Sequence, residues 1–263
     1  MSYTIRPINT GFTNIEKELY CYHHSTKIRF KETGDIAVPC FVFLIEGGGK
    51  KIMVDTSTAP TERAHKYHHA GSWQPEGYSI PERLADLNMT PKDIDIVLFT
   101  HLHWDHCYFM EQFTNATFYV HKAELEFALD PIPVYYKSYE HPSLGITRPF
   151  EGVDFEIVDG EVEIMDGIRC VPTPGHSPGH MNIEVTGETG VYSCCGDVAF
   201  LYDNFEAIPE IHYTISPPAR YVNIVESYRS IELTKNRAKN LDYILLTHEP
   251  SLMERVEKEP VLT

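Results

Sequence analysis

Between positions 101 and 106 the chain places His101, His103, Asp105 and His106. A fold gains little from crowding three imidazoles beside a carboxylate, but a bound cation would. Neutral imidazole nitrogens and ionised carboxylate oxygens are good ligands for divalent ions such as Zn²⁺. The spacing adds direction. Alternate side chains of an extended chain point the same way, so His101 and His103 can grip one ion. Asp105 and His106 follow Trp104, where the chain must turn, and can reach a second point nearby.

A dinuclear site needs a third ligand per ion and usually a bridging carboxylate. Donors of the right type recur downstream: His176 in "VPTPGHSPGH", Asp197 in "VYSCCGDV" and His248 in "YILLTHEP". Each follows an apolar run, as the first cluster does in "IVLFTHLHWDH". Side chains at strand ends are held more rigidly than side chains in long loops. Four such ends can converge on one rim of a sheet, which brings five imidazoles and two carboxylates together.

The elements that must position these residues are legible in outline. "AVPCFVFLIEGGGKKIMVDT" reads as two strands around a glycine turn. "APTERAHKYHHAGSWQPEG" reads as a loop or lid with a short helical piece. "SIPERLADLNM" has a helix signature, with Ser79 as cap and Pro81 in the first turn. Residues 94–99 form a buried strand, "ATFYVHKAELEFAL" a strand followed by a helix, and "FEIVDGEVEIMDGIRCVP" a series of short strands. "MNIEVTGETGVYSCCGDVAF" adds two more. A late helix is expected to open at Pro217 and Pro218, and a last buried strand to end at His248. No repeat or linker interrupts residues 1–263, which read as a single domain.

Composition narrows the partners. The 38 acidic against 22 basic residues leave a formal charge of −16. That balance disfavours nucleic acid, which needs a basic groove, and an anionic membrane surface. No apolar run approaches the ~20 residues of a transmembrane helix, and no secretion signal is visible. The six cysteines are therefore read as reduced, mostly buried thiols of a cytoplasmic protein.

The motif His-x-His-x-Asp-His in "THLHWDH", followed in order by "TPGHSPGH", "GDVAF" and "LLTHEP", resembles the metallo-β-lactamase superfamily. The resemblance runs from "FLIEGGGKKIMVDTS" to "LLTHEP" and is nearest to the N-acyl homoserine lactonases. It implies an α/β fold, the αβ/βα sandwich of two mixed sheets flanked by helices. It implies His101, His103 and His176 on one ion, Asp105, His106 and His248 on the other, and Asp197 between them. It implies that Asp55, in "MVDT", braces the site from behind. One departure matters. Those lactonases usually carry a tyrosine three residues after the bridging aspartate, and this chain has Phe200, which has no hydroxyl to donate.

The expected chemistry is metal-dependent hydrolysis of a small lactone or ester, of the kind that underlies quorum quenching. Two Zn²⁺ per chain, with Fe²⁺, Mn²⁺ or Co²⁺ as substitutes, would make a bridging water into hydroxide. That hydroxide attacks the carbonyl carbon, with Asp105 and Asp197 as the catalytic carboxylates and Asp105 delivering a proton to the leaving oxygen. A homodimer is compatible with the resemblance. Two rivals share the ligand types: a thioester hydrolase of the glyoxalase II kind, and a mononuclear iron persulfide dioxygenase. His180 is expected to bond or pack behind the ligands, and His65, His68 and His69 to lie on a mobile polar loop without a metal. Phe200, Tyr202, Trp73, Tyr135 and Tyr136 are weak candidates for a substrate pocket.

Overall fold

Side-chain alternation builds the molecule in layers. In the computed structural model, which describes residues 2–21, 25, 27 and 34–263, the first sheet holds β1 (Thr4–Glu16), β2 (Asp35–Gly47), β3 (Lys50–Val54), β4 (Ile96–Leu98), β5 (Thr117–His121) and β6 (Phe155–Val158) in that order. β1 to β3 pair antiparallel, and β3 to β6 pair parallel. The second sheet holds β7 (Val162–Met165), β8 (Ile168–Pro172), β9 (Met181–Thr186), β10 (Val191–Cys194) and β11 (Ile244–Leu245), in the order β11-β10-β9-β8-β7. Both sheets are mixed, since β10 and β11 run parallel while the other pairs are antiparallel.

The parity of each strand decides which layer a residue joins. Phe41, Phe43 and Ile45 of β2 pack inward against Ile168, Ile183 and Val185 of the second sheet. Val42 and Leu44, one step out of phase, pack outward against Ile80 and Leu84 of α2 (Ile80–Ala85) and Ala128 of α3 (Lys122–Leu129). The second sheet shows the same split. Cys194 joins the inner core, and its neighbour Cys195 joins the outer one with Ile231 of α4 (Ile224–Arg237). Helices therefore cover the outer face of each sheet, the αβ/βα arrangement expected. Further helices are α1 (Thr61–Tyr67) and α5 (Ser251–Lys258). Among the described residues no helix is long and apolar enough to cross a membrane. The cysteines are buried, and none of them forms a disulfide.

Several boundaries differ from the sequence reading. The strand expected over 94–99 is regular over Ile96–Leu98, with Asp95 and Phe99 still bonded to the Lys51 and Tyr119 carbonyls, and the one expected to reach His248 stops at Leu245. In both cases the chain leaves the sheet before the donor residues, whose side chains must turn toward one another. The late helix does not open at Pro217 and Pro218. It starts at Ile224, where the Asn223 side chain accepts from the backbone N–H groups of Val225 and Glu226. No element was expected where α5 forms. By contrast, the Ser79–Glu82 capping box opens α2 as expected. The glycine turn also holds: Gly48 and Gly49 have φ of 60° and 73°, the two left-handed steps of a tight hairpin.

β8, β10 and β11 run in one direction, so their C-terminal ends share an edge of the second sheet. The C-terminal end of β4 meets that edge from the first sheet. These four ends precede His176, Asp197, His248 and the 101–106 cluster.

Candidate metal centre

The convergence is close. His101, His103, His176 and Asp197 form one group in which potential ligand atoms all lie within 4.8 Å of one another, and Asp105, His106 and His248 form a second. All seven side chains are buried. Asp197 joins the groups. Its Oδ2 lies 3.3 Å from His176 Nε2 and 3.9 Å from His101 Nε2. Its Oδ1 lies 3.2 Å from His106 Nε2 and 3.3 Å from His248 Nε2. Two donors each ~2.0–2.1 Å from a tetrahedral ion stand roughly 3.3–3.4 Å apart, so these spacings suit shared coordination. Asp105 completes the second group, with Oδ2 3.6 Å from His248 Nε2 and Oδ1 3.9 Å from His106 Nε2.

Hydrogen bonds decide where each imidazole carries its proton. His106 Nδ1 donates to Asp55 Oδ2 at 2.8 Å, His248 Nδ1 to the Pro39 carbonyl at 2.8 Å, and His176 Nδ1 to the Arg220 carbonyl at 3.3 Å. Acceptors of these kinds carry no proton of their own, so the ring must supply it. His101 follows by one further step. The Thr100 hydroxyl donates to Asp55 Oδ2, which leaves its oxygen to accept from His101 Nδ1 at 3.1 Å. With Nδ1 engaged behind them, these four rings turn Nε2 toward the common space. His103 is the exception and turns Nδ1 to within 3.0 Å of His176 Nε2. Nε2 of His101, His103 and His106, and Oδ1 of Asp197, are buried without a hydrogen-bond partner in the protein. Buried polar atoms without partners are costly. Divalent cations in the common space would satisfy Nε2 of His101 and His106 and Oδ1 of Asp197, and the donor set fits Zn²⁺.

Charge follows the same logic. Burial and the neighbouring imidazoles push His101 and His103 well below the ordinary histidine range, which keeps them neutral. Burial alone would raise Asp197, but His248, His106 and His176 hold it well below the usual carboxylate range. His106 is displaced the other way. Burial would lower it, and Asp197 and Asp55 overcome that and raise it.

The supports were only partly legible. Asp55 stands behind His106 and Thr100 as the resemblance implied, accepting also from Thr100 N–H at 2.8 Å. It does so in a left-handed backbone conformation, φ 59°, which aspartate tolerates better than most residues. His180 behaves as expected of a residue behind the ligands. Its Nε2 accepts from Asp197 N–H at 3.0 Å, its Nδ1 donates to Thr173 Oγ1, and burial lowers it to about 3. From Thr173 the row continues through Asn182 to Thr234 and the Ser230 carbonyl of α4. Sequence reasoning missed Glu124. This fully buried carboxylate on α3 accepts from Leu102 N–H, Tyr139 hydroxyl, Ser177 hydroxyl and Gly179 N–H, and so ties the loop of His101 and His103 to the loop of His176. The one signal was a glutamate at an inward position of an amphipathic helix.

The 65–69 histidines needed correction. His68 is not on a mobile polar loop. Its side chain is buried, stacks on Trp104 at 4.2 Å, and contacts Glu140 at 2.7 Å. Arg63 of α1 grips Glu140 with two further bonds of 2.8 Å. None of these histidines joins a metal-type group among the described residues.

Above the donors lies a narrow, solvent-open cleft, lined among others by Asp105, Asp197, Phe200, His69 and Arg220. Phe200 is buried and sets its ring edge-on to His176 and His248, at 5.9 and 5.7 Å. Tyr202 does not replace the missing hydroxyl, because its own donates to the Ile244 carbonyl. Trp73, Tyr135 and Tyr136 do not line this cleft either. Trp73 stacks on Phe12, and Tyr136 stacks on His141.

Comparison with known proteins follows the same direction. The profile of the metallo-beta-lactamase superfamily matches residues 35–233. An N-acyl homoserine lactonase of Bacillus cereus is 27% identical over 179 residues, 64% of this chain and 67% of the relative. The N-acyl homoserine lactonase AttM of Rhizobium radiobacter is 24% identical over 259 residues, 92% of this chain and 94% of the relative. An N-acyl homoserine lactone hydrolase, solved with the product N-hexanoyl-L-homoserine at its catalytic metal centre, superposes with a TM-score of 0.76. It is 21% identical, and the match covers 97% of each chain. AidC, a dizinc quorum-quenching lactonase, superposes with a TM-score of 0.70 at 12% identity, over 94% of this chain and 88% of the other. At these identities the structural likeness speaks to the fold.

Proposed function

The chain belongs to the metallo-beta-lactamase superfamily, and on that premise we propose that it is a dinuclear metal-dependent hydrolase that opens a lactone or cleaves a related small ester. His101, His103 and His176 would hold one ion, Asp105, His106 and His248 the other, with Asp197 shared. Zn²⁺ suits the nitrogen and oxygen donors, and Fe²⁺, Mn²⁺ or Co²⁺ could replace it. When bound, such a pair of ions supplies Lewis acidity toward the carbonyl oxygen and a water acidic enough to attack near neutral pH.

The chain's own residues do the rest. The pinned Nδ1–H bonds keep four imidazoles aimed inward without reorganisation. Asp105 borders both the second group and the cleft, with a side chain 10% exposed. It is placed to deliver a proton to the departing alkoxide, which in a lactone stays tethered to the acyl group. Phe200 excludes water from the space between His176 and His248. A cytoplasmic location belongs to this reading and agrees with the absence of disulfides.

The observation that carries the proposal is Asp197, each of whose oxygens faces two imidazole nitrogens. The completeness of the second group supports two ions over the single iron of a persulfide dioxygenase. Metal analysis of the purified protein, followed by a panel of lactones, esters and thioesters on metal-replete enzyme, tests it. About two ions per chain and lactone or ester turnover are expected. One iron with no hydrolysis would overturn it, and a strong preference for thioesters would move the assignment to the glyoxalase II type.

A further inference from the structure

Arg220 is the one arginine or lysine on the cleft among the described residues. It is half-buried, and its side chain makes a single hydrogen bond, Nη2 to Ser138 Oγ at 2.8 Å. Among the described residues no carboxylate pairs with it, although Asp105 and Asp197 line the same cleft. The backbone holds it in place from two sides. Its carbonyl accepts from His176, and the carbonyl of Ser138 accepts from Trp104 N–H. His69, also on the cleft, is no competing cation. Burial and the Arg220 charge lower it to about 4, so it is neutral at physiological pH.

A guanidinium has five N–H donors in a rigid fork that matches a carboxylate. Here one donor is used, and the chain keeps its own carboxylates away from the remainder. In a protein of formal charge −16, such a cation beside the reacting centre is a selective feature. We propose that Arg220 is a specificity-determining residue that binds a carboxylate borne by the substrate. The lactone or ester taken by this site would then be anionic, with the carboxylate on the side of the cleft formed by His103 and His176. This deepens the hydrolase reading and rests on it. The missing hydroxyl at Phe200 fits the same picture, because a substrate held by an ion pair depends less on a neutral donor for placement.

The test uses a matched pair of lactones on metal-replete protein: 5-oxotetrahydrofuran-2-carboxylate and its neutral carboxamide. Water adds to the ring carbonyl, the carbon–ring oxygen bond breaks, and the carboxylate lactone yields 2-hydroxyglutarate and one proton, which a pH indicator reads. The wild type should favour the carboxylate by about tenfold or more in kcat/KM, the size of one charge-assisted hydrogen bond. Arg220→Gln should bring that ratio to about one, and Arg220→Lys should keep part of it, since a point charge lacks the fork. The same ratio in wild type and Arg220→Gln overturns the inference while leaving the hydrolase standing.

Calorimetry supplies a readout independent of turnover. 2-Hydroxyglutarate should bind the wild type more tightly than 4-hydroxybutyrate does, and Arg220→Gln should erase the difference. Equal binding of the two acids by the wild type overturns the inference. A protein that hydrolyses no lactone, ester or thioester but still shows the Arg220-dependent difference would sink the hydrolase and keep the anion site.

Discussion

The two sides of the donor cluster are built differently. Behind it, Asp55 and Glu124 are fully buried, and between them they accept seven hydrogen bonds from Thr100, His106, Leu102, Tyr139, Ser177 and Gly179. In front of it, Phe200 offers no donor and Arg220 has donors to spare. The back is saturated because any slack there would be passed to the ligand atoms. The front is unsaturated because its partners arrive from solution. On the proposed reading, the chemistry shared with the family resides behind and within the cluster, and the selection of substrate resides in front.

The comparison can be broken hardest at its centre. Asp197→Ala should cost one ion per chain and more activity than the roughly 10–100-fold lost when an outer partner of a metal ligand is removed. Metal analysis alongside lactone kinetics checks it, and full activity with two ions retained would end the dinuclear proposal. Next comes the back wall. Glu124→Leu leaves the N–H groups of Leu102 and Gly179 buried without acceptors, at about 1–3 kcal/mol each. Chemical denaturation should show a loss of about 3 kcal/mol or more, with Glu124→Gln retaining part of the stability.

A third prediction concerns pH. Burial would raise Glu140, but bonds from Arg63 and His68 hold it below its usual 4.5. A carboxyl depressed on folding stabilises the protein fully above the unfolded value, and that contribution fades as pH falls through the folded one. In metal-free protein, stability should therefore decline below about pH 5, and Glu140→Gln should flatten the decline while costing on the order of 2 kcal/mol at neutral pH. Parallel curves for the two proteins would remove Glu140 from the account. The smallest effect belongs to the front wall. Phe200→Tyr should raise turnover of a neutral lactone by at most about tenfold, short of the ~10²–10³ that a required donor contributes. A larger gain would mean that the cleft lacks a hydroxyl it needs.

The residues that the structure brings into one cluster were conspicuous in the sequence and their supports were not, for a physical reason. Ligand-type residues at the ends of apolar runs are conspicuous, because water-loving side chains seldom follow buried strands so regularly. The two strands around the glycine turn at 47–49 were readable for the same reason, since apolar runs and turn residues are local in sequence. Glu124, Glu140 and Arg220 escaped notice because their roles depend on which distant segments meet them. Glu124 reaches 55 positions along the chain to Gly179, and Arg63 reaches 77 to Glu140. The start of α4 was misplaced because Pro217 and Pro218 resemble an opening turn, whereas the Asn223 side chain supplies the acceptors that a first turn needs.

The hydrogen-bonded row from Asp197 through His180, Thr173 and Asn182 to α4 has a polarity. Each member hands its proton onward, and the last acceptor, the Ser230 carbonyl, cannot hand one back. Reversing one link would set two like atoms face to face in the interior, and because the Asp197 N–H can only donate and the Ser230 carbonyl only accept, the direction of the row is fixed. The register of an outer helix is in this way written into the orientation of a single peptide unit at the centre of the molecule, and an exchange at Thr234 would be felt there without touching it.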